Sequence, residues 1–296
     1  MKIKILLQTI RVPFLLLTPI CIFLGISTAY AILPSIDLTT ILKIFFGAIA
    51  AHISVNTLNE YDDFKSGLDL ITKKTPFSGG SGALPANPEM AKSVFVLGLV
   101  SLSVTIIIGV NFVLEHGMEI MPIGLAGVVL IVAYTKWINR SPLLCLIAPG
   151  LGFGTFMVVG TNNILTGGYT ALVWIVSLVP FLLVNNLLLL NQYPDIEADS
   201  TVGRKTFPIA FGIKNSNFVY AVFMLTAYSL IIYFIYREYI SSLGVIALIP
   251  MTCSIYSLFG AIKFGTEIGA HPQYLATNVA AALSTPLLLG IAIIGG

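Results

Sequence analysis

Nine apolar runs divide the chain, at about 11–33, 38–58, 91–114, 120–138, 143–164, 170–191, 215–236, 242–263 and 272–294. Each comes close to the roughly 20 residues an α-helix needs to cross a bilayer. In lipid only a helix or a closed barrel satisfies its own backbone, and runs this long are helical in pattern. The sequence therefore predicts an all-α polytopic membrane protein, one domain over 1–296 built as a bundle of about nine transmembrane helices. Most connections are short. Two are long, about 59–90 and 192–214, and each opens with an acidic cluster just where an apolar run ends. Long loops in a compact protein are usually functional.

Composition reinforces this class. Hydrophobic residues make up 57% of the chain and charged ones 9%, with a mean hydropathy of +0.96. That is too little charge to cover a water-soluble domain. The first run has Lys2 and Lys4 before it and Ala29-Tyr30-Ala31 near its end, as a secretory signal would. It is too long for one, and Arg11 stands at its start, so a retained first span is expected. Cys21, Cys145 and Cys253 lie apart inside apolar runs, without metal-ligand spacing, and read as small buried hydrophobes. If the N-terminus is cytoplasmic, Lys2, Lys4, Arg11, Lys65, Lys73, Lys74, Lys92, Lys136, Arg140, Arg204, Lys205, Lys214 and Lys263 fall on the cytoplasmic side, and only Lys43 and Arg237 on the other. That bias predicts an integral protein of the cell membrane with both acidic clusters facing the cytoplasm. The lipid bilayer is the expected surrounding, and no feature points to nucleic acid.

The first cluster runs from Asn59 to Asp69 and the second from Asn191 to Asp199; together they hold seven of the chain's thirteen carboxylates. Asn59 and Asp63 share a helical face, with Asn56 near it and His52 one turn deeper. Asp69 would point elsewhere on an unbroken helix, but Gly67 allows the chain to turn back. Asn191, Asp195 and Asp199 recur every four residues, interrupted by Pro194. A helix ending near Tyr193 and a new one starting at Pro194 is the expected arrangement. Carboxylate and amide oxygens suit a hard cation. Mg²⁺ takes one or two carboxylates and fills its remaining sites with water and phosphate oxygens. Two such clusters across one cavity would grip a diphosphate, with Lys65, Lys73 and Lys74 beside the first and Arg204 and Lys205 beside the second.

At these motifs the sequence resembles the UbiA superfamily of intramembrane aromatic prenyltransferases. The second motif, Asn191-x3-Asp195-x3-Asp199, fits that family's pattern directly. The first, Asn59-x3-Asp63-x5-Asp69, is similar to the branch that makes menaquinone. Further similarities are Thr75-Pro76-Phe77-Ser78-Gly79-Gly80-Ser81-Gly82, the stretch Gly154–Thr161, and Gly203-Arg204-Lys205-Thr206. The resemblance implies nine transmembrane helices around a central cavity open to the cytoplasm. It also implies transfer of a prenyl chain from an allylic diphosphate to an aromatic acceptor such as 1,4-dihydroxy-2-naphthoate. On it, Asp63, Asp69, Asp195 and Asp199 would bind Mg²⁺, assisted by Asn59 and Asn191. Lys65, Arg204 and Lys205 would hold the diphosphate, and the prenyl tail would lie in an apolar groove open sideways to lipid. Glu60, Gln192 and Phe153 depart from the pattern, where the family tends to carry aspartate, an acid and, in the menaquinone branch, glutamate. Phe153 thereby bears on which acceptor is used.

Other residues carry two readings each. Tyr134 matches a family tyrosine near the reacting centre, and equally an interfacial belt aromatic, as does Trp137. His52 and Asn56 would bond each other or line an acceptor pocket. Arg11 and the Lys73-Lys74 pair fit a positive-inside anchor. Gly150, Gly152 and Gly154 permit close helix packing or shape a groove. Asn162 and Asn163 read as an ordinary loop at the opposite membrane face. A CDP-alcohol phosphotransferase would need a compact aspartate signature that the chain lacks. A membrane terpene cyclase on the same scaffold, the same transfer to 4-hydroxybenzoate or a glycerol phosphate ether lipid precursor, and a cation transporter remain as alternatives. Transporter sites sit at mid-membrane, whereas these acids sit at span ends.

Overall fold

The computed structural model describes residues 2–33 and 35–296, and among them every regular element is helical. A short helix α1 (Lys2–Ile10) leads through a 3-10 segment (Val12–Leu16) into α2 (Leu17–Tyr30). The long α3 (Leu38–Lys65) is started by Asp37, whose Oδ2 accepts from the Thr40 amide at 2.8 Å. That bond satisfies one of the amides left free in a first turn. Then come α4 (Leu68–Ile71), α5 (Ala83–Ala86), α6 (Ala91–His116) and α7 (Met121–Ala133). Next, α8 (Pro142–Pro149) continues as a π-helical stretch, Gly150–Phe156, into α9 (Met157–Thr166). The remainder is α10 (Ala171–Asn191), α11 (Ile196–Thr201), α12 (Phe207–Tyr236), α13 (Met251–Phe264) and α14 (Pro272–Ile294).

Eight of these helical segments are long and apolar enough to cross a membrane, and Met118–Ala133 is a ninth, shorter one. The expected fourth span, 120–138, thus ends early. After Ala133 the chain breaks into turns and a 3-10 segment, Ile138–Arg140. The expected seventh span begins earlier than 215, because α12 starts at Phe207 and bends at Gly212, whose φ of 79° no other residue type adopts readily.

The principal core lies on α10, α12 and α14. Val176, Val184 and Leu190 of α10 pack with Tyr220, Ile231 and Phe234 of α12 and with Leu275 and Leu289 of α14, all fully buried. Gly150 and Gly154 let the π-helical stretch press onto α10, where a Cβ on either would collide with the Phe181 backbone. Gly152, on the opposite side, meets only Leu130 Cδ1 at 3.9 Å. Close packing and groove lining are therefore divided among the three glycines. Asn162 and Asn163 are not a loop. They are buried within α9, and Asn162 Nδ2 donates to Thr28 Oγ1 of α2 at 3.0 Å. A polar side chain inside the bilayer needs such a partner.

A cavity of about 670 Å³ lies between α3, α6, α7, the π-helical stretch and the end of α10. Its walls are mostly apolar: Ile44, Ile108, Phe112, Ile123 and Ile164 surround the deep end. Ile106, Val110 and Leu125 line it yet remain exposed on the outer face of the bundle, which marks a lateral opening between α6 and α7.

Candidate active site

The mouth of the cavity is where both acidic clusters meet. Asp63, on the last turn of α3, and Asp199, on α11, are joined through one guanidinium. Arg204 Nη1 donates to Asp199 Oδ1 at 3.0 Å, and Arg204 Nη2 donates to Asp63 Oδ1. Burial disfavours the charge on Arg204, but Asp63 and Asp199 more than offset it, and its pKa stands above the ordinary value. Asn59, one turn before Asp63, donates to Asp63 Oδ2 at 2.8 Å and accepts from Thr135 Oγ1 at 3.1 Å.

Asp69 and Asp195 are gathered by a glycine loop. Gly67 stands at φ 81° and turns the chain after α3, so that Asp69 falls in α4 and faces the cavity. Helix α10 ends at Asn191, and Asp195 is the N-cap of α11, so Pro194 lies in the turn rather than opening the new helix. The Gly79 amide donates to Asp195 Oδ2 at 3.1 Å. Gly80, at φ 73°, lies so close to Asp69 that a Cβ there would stand 2.5 Å from Oδ1.

Among the described residues, several acceptors at this mouth have no partner. Asp69 Oδ2, Asp195 Oδ1, Asn191 Oδ1 and Gln192 Oε1 are buried and unbonded. Buried polar atoms are almost always paired, so a cluster of orphaned oxygens calls for a donor or a cation. All four are hard oxygen atoms, the set Mg²⁺ prefers. Among the described residues no three acid, histidine or cysteine groups already form a metal cage. Mg²⁺ does not require one, since it completes its shell with water and phosphate. Burial, then the like charges of Glu60 and Asp63, pushes the Asp69 carboxyl up to about 7. Burial, then Asp199, does the same for Asp195, also to about 7. For Asp199 the direction is again upward, with burial the leading cause.

The family model described as the UbiA prenyltransferase family matches residues 18–267. The chain belongs to that family. With this the resemblance drawn from the two motifs is shown, and the family is one of prenyltransferases. The UbiA chain is also 29% identical over 199 residues to the 1,4-dihydroxy-2-naphthoate octaprenyltransferase of Bacillus subtilis (strain 168). That match spans 65% of this chain and 61% of the length of the relative. A UbiA homolog from Archaeoglobus fulgidus, solved bound to GPP and Mg²⁺, superposes with a TM-score of 0.68 at 13% identity, over 99% of this chain and 100% of that one. A structure of digeranylgeranylglyceryl phosphate synthase gives a TM-score of 0.66 at 16% identity, over 100% and 99%. At such identities these two structures show the fold alone.

Within this UbiA fold Asn59, Asp63, Asp69, Asn191, Asp195, Asp199, Tyr134 and Arg204 all line one cavity. Two expected diphosphate ligands do not. Lys65 is exposed, its ammonium 5.9 Å from the Tyr61 ring centroid, and Lys205 is exposed beyond Arg204. Sequence proximity placed them near the acids, but helical rotation turns Lys65 outward, and Lys205 lies in the non-helical link to α12, where Arg204 and not Lys205 faces the cavity. His52 and Asn56 line the cavity without bonding each other. His52 Nδ1 pairs with Thr18 Oγ1 at 2.8 Å, and Asn56 Nδ2 donates to the Ile10 carbonyl at 2.8 Å. Phe153 packs edge-on against His52 at 4.6 Å between ring centroids. Eleven residues separate His52 from Asp63, about 16 Å along α3. His52 therefore stands deep in the apolar part, well below the carboxylates.

Glu60 stands out in the sequence only as a departure from the family pattern, and the structure gives it a tying role that the sequence did not reveal. Fully buried, it accepts from Arg11 Nη2 at 3.0 Å and from the Ser81 amide and hydroxyl. It thereby ties α1 and the glycine loop to α3. The available signal was its type: a carboxylate at the end of an apolar span, beside an acidic motif, needs its own cationic partner if it is buried.

Proposed function

We propose that this protein transfers a polyprenyl chain from an allylic prenyl diphosphate to an aromatic quinone precursor, 1,4-dihydroxy-2-naphthoate before others, with release of diphosphate. The observation that carries the reading is the set of orphaned oxygens at the mouth of an apolar cavity. The name of the Bacillus subtilis relative supports the acceptor. Asp63, Asp69, Asp195 and Asp199 would hold Mg²⁺, with Asn59 and Asn191 assisting. When bound, the ion neutralises charge that builds on the departing diphosphate.

The chain's own residues do the rest. Arg204 lies between the two motifs, where its guanidinium can donate to phosphate oxygens in place of Asp63 and Asp199. The prenyl carbon–oxygen bond breaks with its electron pair going to the diphosphate. The allylic carbon then bonds to the ring, and the ring carbon gives up the proton or carboxyl group it carried, keeping that pair. Tyr134 lines the cavity at this level. The apolar walls below exclude water, which would otherwise capture the allylic cation. The prenyl tail runs down them, and the opening between α6 and α7 admits it from lipid. The thirteen-to-two bias of basic residues favours the cell membrane, with the N-terminus and the motif face cytoplasmic.

The test uses detergent-purified protein, a long-chain prenyl diphosphate and Mg²⁺. Diphosphate release that requires both 1,4-dihydroxy-2-naphthoate and an intact Asp63, lost in D63N, is the expected result. Release from wild type without any acceptor would refute aromatic transfer in favour of a cyclase. Release only with 4-hydroxybenzoate would refute the naphthoate.

A further inference from the structure

Beneath α1 lies a second cavity of about 550 Å³ that shares a wall with the first: Arg11, Pro13, Phe14, Phe77, Ser78 and Gly80 line both. Its far wall is polar. Lys4, Gln8 and Arg11 follow one another at the spacing of a single helical face, and Thr75 and Ser81 stand opposite. Arg11 ends α1 at φ 58°, ψ 53°, a left-handed conformation that non-glycine residues seldom hold without a reason. The bend places its guanidinium between the two cavities. One nitrogen, Nη2, is engaged by Glu60 at 3.0 Å, while Nε is buried and, among the described residues, donates to nothing. Guanidinium carries five donors in a planar fork, and a carboxylate is the group that matches that fork. With Glu60 already paired, Lys4 leaves the pocket positive.

We propose that this vestibule binds the carboxylate of an anionic aromatic acceptor, with Arg11 as the residue that recognises it. Resting on the prenyl-transfer reading above, the inference separates the routes of the two substrates. The acceptor comes through the polar pocket on the motif face, and the prenyl chain comes sideways from lipid. The rings of Phe14 and Phe77 on the shared wall give the aromatic body of the acceptor an apolar passage from one cavity to the other.

Equilibrium binding tests this without depending on catalysis. Affinities of wild type, R11Q and R11Q/E60Q are measured by fluorescence for 1,4-dihydroxy-2-naphthoate, for 1,4-dihydroxynaphthalene and for a prenyl diphosphate with Mg²⁺. The double variant keeps the pair neutral, should R11Q leave Glu60 uncompensated and fail to fold. Wild type should prefer the naphthoate, and R11Q should weaken it by about 10- to 100-fold while leaving the other two ligands unchanged; in R11Q/E60Q the preference for the naphthoate over 1,4-dihydroxynaphthalene should be lost. Equal weakening of both aromatics, no preference in wild type, or weakening of the prenyl diphosphate would overturn the assignment. The last outcome would make Arg11 a diphosphate ligand. Selective naphthoate binding without any prenyl transfer would uphold the pocket and overturn the reaction.

Discussion

Replacing Gly80 with alanine tests whether the glycine loop sets the metal-binding geometry. Two costs are separable. Alanine at φ 73° adopts a left-handed conformation, at about 1–2 kcal/mol. Its Cβ would also stand 2.5 Å from Asp69 Oδ1, whereas ordinary contact begins at 3.4 Å, so the carboxylate must retreat by about 0.9 Å. Metal ligands tolerate displacements of about 0.2 Å. Mg²⁺ is strict about its octahedron, and a disturbed site typically loses about 10- to 100-fold in affinity. Gly167 is the control, since it shares φ 73°, ends α9 far from the motifs, and has nothing within 4 Å of its Cβ position. G80A and G167A should therefore lose similar thermal stability in EDTA, while only G80A raises the Mg²⁺ concentration for half-maximal diphosphate release. An unchanged Mg²⁺ requirement in a folded G80A protein would refute the reasoning.

Three further outcomes follow from the same geometry. Asp69 and Asp195 titrate near 7 when metal-free, so protons compete with the cation below that pH. Because these folded-state values lie above the unfolded ones, stability is highest below pH ~4 and falls as pH rises through about 7; the rise in Tm on adding Mg²⁺ should therefore grow between pH 6 and 8, and a flat profile would count against it. R204Q leaves Asp63 and Asp199 buried without a cation, which should cost about 3–5 kcal/mol in EDTA and less once Mg²⁺ is present, read from denaturation in both conditions. G154A should fold poorly, because its methyl group meets the Phe181 backbone, while G152A should fold normally; equal yields of the two would contradict the packing.

The reach of the sequence was set by the range of the interactions involved. Length and apolarity are local, so the long spans were plain, and so was the turn at Gly67, which one left-handed residue permits. The Asn59–Asp63 pair was visible because i and i+4 share a helical face. Glu60 was not, because its partners Arg11 and Ser81 lie 49 and 21 residues away. Lys65 and Arg204 looked alike as basic neighbours, and only the path of the chain between Asp199 and α12 carries Arg204 inward. Asn162 and Asn163 resembled a loop because they fall near the end of their run at the face opposite the motifs; Thr28, on another helix, is what makes one of them tolerable inside α9. The early end of α7 was hidden because Trp137 and Ile138 carry large apolar side chains past Lys136, and Tyr134 to Ile138 holds no glycine or proline to mark a break.

That early end has a consequence for the surrounding bilayer. Thirteen residues of α7 rise about 20 Å, and the 3-10 turn before them adds about 6 Å. The sum falls short of a hydrocarbon layer about 30 Å thick. Lipids beside α7 must therefore thin, or their headgroups must dip, on the flank where Ile106, Val110 and Leu125 open the wall. On the proposed transfer, a prenyl diphosphate anchored in the leaflet by its own tail would meet that dip at the depth of the carboxylates, and would slide in without lifting its chain out of the oil. Thickness of the host membrane would then become a variable of the proposed reaction, with thinner bilayers presenting the prenyl diphosphate closer to the level of the carboxylates.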